Sequence, residues 1–333
     1  MVKQKVVVLG TGGTIAGMAV RAEVNAAYVA AQRSVAELLQ GLPATLPFHG
    51  EIVSEQVAQI DSKDMNLAVW QQLLRRCRYW LAQPEVQGLV ITHGTDTLEE
   101  TAYFLHATLT ADKPIVLTCA MRPANAPDAD GPRNLFDALA LAGHPGAHGV
   151  MAVCAGTIHG AVDVQKVHPT RLDPFSSGEI GPLGHVMQGT VKQIRSWPCA
   201  ATMWSSQALD NLSGMSALPR VEIVWSHADV CGATVDALVA PDVARRFGAE
   251  PVRGLVVAAT GNGSIHTDLE AALCRVRAGG VRVVRATRCW EGRITALTGE
   301  VIPDAQELPA VKARVALALE LARQVDDTDK QLR

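Results

Sequence analysis

No Cys-x-x-Cys pair occurs among the seven cysteines, which are scattered at 77, 119, 154, 199, 231, 274 and 289. An odd, dispersed set is the pattern of free thiols in a reducing compartment, not of a disulfide framework or a zinc site. His144 and His148 are four apart, but Pro145 and Gly146 between them break a shared helix face, so they do not read as metal ligands. Long apolar runs are missing too. The first run, Val6 to Leu9, ends in glycines, whereas a signal-peptide core takes roughly 7–15 apolar residues and a membrane span about 20. The expectation is a cytoplasmic protein with no membrane role. Charge of one sign is scarce: a formal net charge of -3 gives no broad attraction to nucleic acid or anionic lipid. No basic cluster interleaved with aromatics is found, so no nucleic-acid partner is expected. Neither a G-x-S-x-G elbow nor an H-E-x-x-H helix is present, which removes the serine-hydrolase and zinc-protease motifs. A small-molecule substrate or a protein partner remains.

What is there is a chain of 333 residues, 48% apolar and 19% charged, long enough for two domains. Short β-branched runs alternate with helix-compatible segments, which predicts an α/β fold. Val6–Leu9, Gly88–Thr92, Ile115–Thr118 and Val150–Cys154 read as buried strands. Asn66 to Ala82 places Leu67, Trp70, Leu73, Leu74 and Leu81 near a helical period. Helices are also expected over Leu98–Leu109 and Asn134–Ala142. Between 195 and 219 the sequence is rich in Ser, Ala, Pro and Met and reads as a linker. A second α/β series follows, with strands at Val221–Trp225, Gly254–Ala258 and Val281–Val284 and a closing helix from Val311 to Val325. The domains expected are therefore 1–194 and 220–333.

Four segments carry chemistry. In Leu9-Gly-Thr-Gly-Gly-Thr-Ile-Ala-Gly17 a buried strand ends in glycines, which allow a sharp turn and leave N–H groups facing a crevice. A dinucleotide fingerprint fails because Ile15 stands at its third glycine. Thr11 and Thr14 bracket the glycine pair, and a threonine there can present its hydroxyl to a carbonyl while amides stabilise the oxyanion. A plain strand-to-helix turn explains the segment equally well. Thr92-His-Gly-Thr-Asp-Thr97 also follows a buried strand, so both segments point to one crevice at the carboxyl ends of the strands. There Asp96 or Thr97 can serve as a helix cap, which leaves Thr95 unexplained. In the polar run Gln59–Met65, Asp64 can cap the next helix and Ser62 has no structural reason of its own. Lys166, among alternating apolar residues, reads by itself as a solvated strand residue. Arg122-Pro-Ala-Asn125 and Asp130-Gly-Pro132 read as rigid turns.

Together these segments resemble the bacterial-type L-asparaginase and glutaminase-asparaginase family over nearly the whole chain. Thr11–Gly17 and Thr92–Tyr103 are the most specific matches, supported by Ala120-Met-Arg-Pro123, Gly181-Pro-Leu-Gly184, Gly261-Asn-Gly-Ser264 and Lys312-Ala-Arg-Val315. The resemblance implies a larger N-terminal, mostly parallel sheet domain with flanking helices, and a smaller C-terminal α/β domain. It implies hydrolysis of L-asparagine to L-aspartate and ammonia, with side activity on glutamine. Thr14 stands at the position of the nucleophile that forms a β-acyl-enzyme, and Tyr28 at that of its tyrosine partner. Thr95, Asp96 and Lys166 match a second, Thr–Asp–Lys set. Ser62 and Asp96 match residues holding the substrate's α-carboxylate and α-ammonium, and Ser264 one contributed by a neighbouring subunit. No metal or cofactor is implied, and the assembly implied is a tetramer of two tight dimers.

Three departures from the family pattern stand out. Lys63 follows Ser62 where secreted members carry Gln or Glu, and a cation there repels the substrate's ammonium unless it turns away or pairs with Asp61 or Asp64. The family glutamate behind the tyrosine has Glu300 and then Glu291 as candidates. The loop Gly17–Ala30 is rich in Ala and Val where the family has Gly and Ser, which predicts a stiffer lid. Lys63 and the unplaced glutamate keep open a non-catalytic amino-acid sensor on the same fold.

Overall fold

The computed structural model describes residues 3–19, 28–43, 45, 47–199, 204–295, 301–305 and 308–331, without the side chains of 325–331. The chain divides into two compact units, Met1–Ser205 and Ser206–Arg333. In the first unit the elements are, in order, β1 (Lys5–Gly12), β2 (Met18–Ala19), β3 (Tyr28–Val29), α1 (Val35–Gln40), β4 (Glu51–Ile60), α2 (Leu67–Leu81), β5 (Val86–Thr92) and α3 (Leu98–Thr108). Then come β6 (Pro114–Thr118), α4 (Gly131–Ala142), β7 (Gly149–Cys154), β8 (Thr157–Gly160), β9 (Gln165–Lys166), β10 (Phe175–Ser176), β11 (Gly184–Met187) and β12 (Thr190–Gln193).

Eight of these strands form one sheet in the order β12-β11-β8-β7-β6-β5-β1-β4. The five from β4 to β7 are parallel, and the remaining three extend the sheet antiparallel. Continuous apolar runs suit this, because a parallel strand is covered on both faces: Val6, Val7, Val8 and Leu9 are all at 0% exposure. Alternate residues Val6, Val8, Val90 and Val116 pack with Leu135 and Leu139 of α4. Helices α2 and α3 pack on the sheet as well, where Trp70 stacks on Phe104 with ring centroids 4.7 Å apart. Burying each such large side chain is worth about 1.5–3 kcal/mol.

Three local expectations change. The α2 N-cap is Asn66, whose side chain accepts from Val69 N–H at 3.2 Å, while Asp64 lies in a preceding 3-10 turn. Asp130-Gly-Pro132 is the start of α4, since proline in the first turn forfeits no helical hydrogen bond. Strand β4 was not expected at all. It lies at the sheet edge, half-buried or exposed with Val57 alone buried, and carries Glu51, Ser54, Glu55, Gln56 and Gln59, so no buried run marks it.

The second unit comprises α5 (Ser206–Gly214), β13 (Arg220–Trp225), α6 (Ala233–Val239), α7 (Pro241–Arg246), β14 (Val252–Ala259), α8 (Thr267–Ala278), β15 (Arg282–Thr287) and α9 (Ala310–Gln331). Its sheet is β13-β14-β15, all parallel, over a core that includes Val224, Leu255, Val257, Leu269, Leu273 and Val283. The segment expected as a linker contains α5, which buries Ala208, Leu209 and Leu212. So short a helix shows too little periodicity to stand out from its Ser- and Met-rich surroundings. Among the described residues no helix is long and apolar enough to cross a membrane.

Strand β1 lies between β4 and β5, so the chain reverses its progress across the sheet there. A crevice forms outside the carboxyl ends of strands at such a switch point. Thr14 follows the end of β1 and Thr95 the end of β5.

Candidate active site

The turn after β1 is built on Gly12 and Gly13, with φ of 101° and 79°. Gly13 also lies so close to Gly94 that any Cβ would collide with the backbone there. Glycine is therefore required twice over, by conformation and by contact with the turn after β5. The two threonines bracketing the pair separate in role. The Thr11 hydroxyl donates to the Thr92 carbonyl at 2.8 Å, tying β1 to β5. Thr14 is buried at 7% exposure, and its Oγ1 lies 2.8 Å from the Tyr28 hydroxyl, either being able to donate.

At the end of β5, Thr95 is 5% exposed. Lys166, on the short strand β9 paired with β10, donates to Thr95 Oγ1 at 2.7 Å and to Asp96 Oδ1 at 2.6 Å. The lysine side chain is 17% exposed, so it is not the solvated strand residue that its local sequence suggests. Thr97 is the residue before α3 but makes no side-chain cap. Its hydroxyl donates to the Ser62 carbonyl at 2.7 Å. Ser62 is buried, and its Oγ accepts from Asp96 N–H at 3.2 Å. Thr95, Asp96, Lys166 and Ser62 thus form one cluster, and Thr14 and Tyr28 another, on the adjoining ends of β5 and β1.

Lys63 turns to Asp64, at 2.5 Å in an exposed pair. That hydrogen bond raises its pKa, as do the charges of Asp64, Asp61 and Asp96. Ser264 belongs to the second unit, exposed in a turn after β14 closed by Thr260 N–H to Ser264 O and Ser264 N–H to Thr260 O, both 2.9 Å. Of the two glutamate candidates, Glu291 is exposed in the second unit and Glu300 lies outside the described residues. The central part of the Gly17–Ala30 loop, residues 20–27, also lies outside them.

One residue of the site went without a role in the sequence. His93 is fully buried, and burial pushes its pKa down to about 4, so the ring is neutral. Its Nδ1–H donates to the Gly94 carbonyl at 2.7 Å, holding the peptide ahead of Thr95. A histidine inside a polar motif gives no sign of burial, which is why only the fold reveals it. All seven cysteines are free, and among the described residues no group of three or more His, Cys, Asp or Glu is placed to hold a metal.

Comparison with known proteins sets this geometry in context. Residues 5–198 match the family model described as asparaginase, N-terminal, and residues 220–332 that of the glutaminase/asparaginase C-terminal domain. The chain belongs to the asparaginase family. A glutaminase-asparaginase of Pseudomonas fluorescens biotype A is 35% identical over 98% of this asparaginase-family chain and 88% of its own length. L-asparaginase 2 of Escherichia coli K12 is 34% identical over 96% of this chain and 90% of its own. A crystal structure of a probable cytoplasmic L-asparaginase from Campylobacter jejuni superposes with a TM-score of 0.84 at 34% identity, covering 96% of this chain and 95% of that one. The two-domain asparaginase architecture expected from the sequence is the one observed.

Proposed function

We propose that the protein hydrolyses L-asparagine to L-aspartate and ammonia, with a side activity on L-glutamine, through an acyl-enzyme on Thr14. The observation that carries this reading is the meeting of two threonine sets at one switch point: Thr14 with the Tyr28 hydroxyl at 2.8 Å, and Thr95 with Lys166 at 2.7 Å. Thr14 Oγ1 attacks the side-chain amide carbon as its proton passes to the Tyr28 oxygen and the phenol hands its own proton on toward the amide nitrogen. In this reading the tetrahedral oxyanion is stabilised by backbone N–H groups at the strand ends other than that of Gly13, which already donates to the Ile60 carbonyl at 2.8 Å. The C–N bond breaks as the nitrogen takes that relayed proton, and ammonia leaves a β-aspartyl ester on Thr14. Water then adds to the ester carbon, its proton passing by way of the Thr95 hydroxyl, which Lys166 orients, to the departing Thr14 oxygen, which leaves as the restored hydroxyl.

Ser62 holds the substrate's α-carboxylate and Asp96 its α-ammonium in this reading, with Ser264 completing the site from a neighbouring subunit of a homotetramer. The enzyme works without a cofactor, in the cytoplasm. One methylene between asparagine and glutamine alters affinity by only about 1–3 kcal/mol, which is why both are substrates. The reading takes residues 1–194 as the catalytic domain and residues 220–333 as the C-terminal domain.

The reading is tested by ammonia release from L-asparagine and L-glutamine with the wild type and with Thr14→Ala. Activity in the first and none in the second is expected. Binding of asparagine without ammonia release by the wild type would make the protein a sensor instead.

A further inference from the structure

The turn Arg122-Pro-Ala-Asn125 has no part in the proposed reaction, yet its last residue does more than a turn requires. The Asn125 side-chain oxygen accepts from the Ala19 N–H at 2.7 Å, and its nitrogen donates to the Ala19 carbonyl at 3.1 Å. One side chain thereby satisfies both backbone groups of a residue in β2, as a neighbouring strand would. The preceding residue adds a backbone bond, Ala124 N–H to the Gly17 carbonyl at 2.8 Å. Strand β2 pairs with β3 in the register Met18↔Val29 and Ala19↔Tyr28, so the residue that Asn125 grips is the one opposite Tyr28.

Two strands of two residues each have little stability of their own and depend on whatever anchors them. The anchor here is itself fixed. The Asp130 carboxylate accepts from Met121 N–H and Arg122 N–H, both at 2.9 Å, and from the Asn134 side chain at 3.2 Å. A chain of bonds therefore runs from the start of α4 through Asn125 to β2 and so to the phenol beside Thr14. Space on that path is tight, since a Cβ at Gly17 would lie 3.0 Å from both the Thr14 carbonyl and a ring carbon of Tyr28.

We infer that Asn125 is a positioning residue, acting through Ala19 to set the Tyr28 hydroxyl against Thr14. This rests on the proposed pairing of Thr14 as nucleophile with Tyr28. An error of about 1 Å in such a contact costs on the order of 100-fold in rate. Without Asn125 the phenol loses its anchor, whereas the substrate's carboxylate and ammonium contacts are untouched.

The test measures kcat and KM for L-asparagine in the full chain carrying Asn125→Ala, Asn125→Asp or Tyr28→Phe, and in the Asn125→Ala/Tyr28→Phe double variant. The aspartate keeps the shape but sets a carboxylate against the Ala19 carbonyl, so it serves even where alanine folds poorly. Expected are kcat losses of roughly 10–100-fold in both Asn125 variants with KM within about threefold, and under about twofold further loss when Asn125→Ala is added to Tyr28→Phe. Wild-type kcat in the Asn125 variants, or an equal loss in the Tyr28→Phe background, overturns the inference alone. A wild type that releases no ammonia sinks the reaction itself, and Tyr28→Phe at full kcat sinks the Thr14–Tyr28 pairing and the inference with it.

Discussion

Thr14 and Thr95 stand at the ends of adjoining strands and are almost equally buried, at 7% and 5% exposure. The groups that meet them differ in kind. Thr14 faces a neutral phenol only 14 residues away in the chain, delivered by a two-residue strand. Thr95 faces an ammonium 71 residues away that is also paired with Asp96. A contact between two neutral hydroxyls is held only by the backbone that carries them. Coulomb attraction, strengthened in a half-buried setting, adds to the hold on the charged set. The nucleophile's half is thus the more easily displaced of the two, and the ionic half is the frame beside it.

Removing the nucleophile is the severest way to probe that contrast. Thr14→Ala should lose on the order of 10⁴-fold or more in kcat, followed by ammonia release, because no acyl-enzyme can form. Retention of full activity would transfer the nucleophile's role to Thr95 and invert the comparison. Next comes the charged half. Lys166→Arg keeps a cation for Asp96, but a planar guanidinium cannot reproduce the compact ammonium's paired bonds to Thr95 and Asp96, so kcat should fall roughly 10²–10³-fold. Near-wild-type turnover in that variant would mean that Lys166 serves Thr95 by charge alone.

A smaller effect concerns stability. The pKa of His93 is depressed in the folded protein, from 6.5 to about 4, so folding requires the neutral ring. Its contribution is fully present above about pH 6.5 and is lost as pH falls towards about 4. Between pH 7 and pH 5 this amounts to about 2 kcal/mol. Urea unfolding at the two pH values should show the wild type losing that much more stability than His93→Asn. Equal pH dependence in the two proteins would remove His93 from the support of the Thr95 turn. The least effect is expected for Lys63→Gln, whose KM for asparagine should stay within about twofold, since Lys63 is engaged by Asp64 at the surface. A tenfold drop in KM would show that the cation opposes the substrate's ammonium after all.

Much of the fold was legible because parallel strands buried on both faces are written as unbroken apolar runs, as in Val6–Leu9 and Leu89–Ile91. Strand β4 was not, since an edge strand has no such run and is defined by its pairing with β1. Within the site, Thr14 and Thr95 could be singled out beside glycines at strand ends. Nothing local sets Lys166 apart from a surface lysine, and only the family resemblance singles it out. Asn125 looked like a turn residue, because nothing near it in the chain hints at Ala19.

By itself, then, the sequence determined the two-domain α/β plan, the glycine turn that only glycine can make, and the two threonine segments. These rest on local properties: burial pattern, backbone freedom and the chemistry of single side chains. Only the tertiary structure decided which partner each threonine hydroxyl takes, with Thr11 donating to the Thr92 carbonyl to tie strands together and Thr14 left to face Tyr28. It also decided that Lys166 reaches Thr95, that Lys63 turns to Asp64, and that Asn125 grips Ala19. Hydrogen bonds and ion pairs act over about 3 Å in space whatever the separation along the chain, so their partners are chosen by the fold.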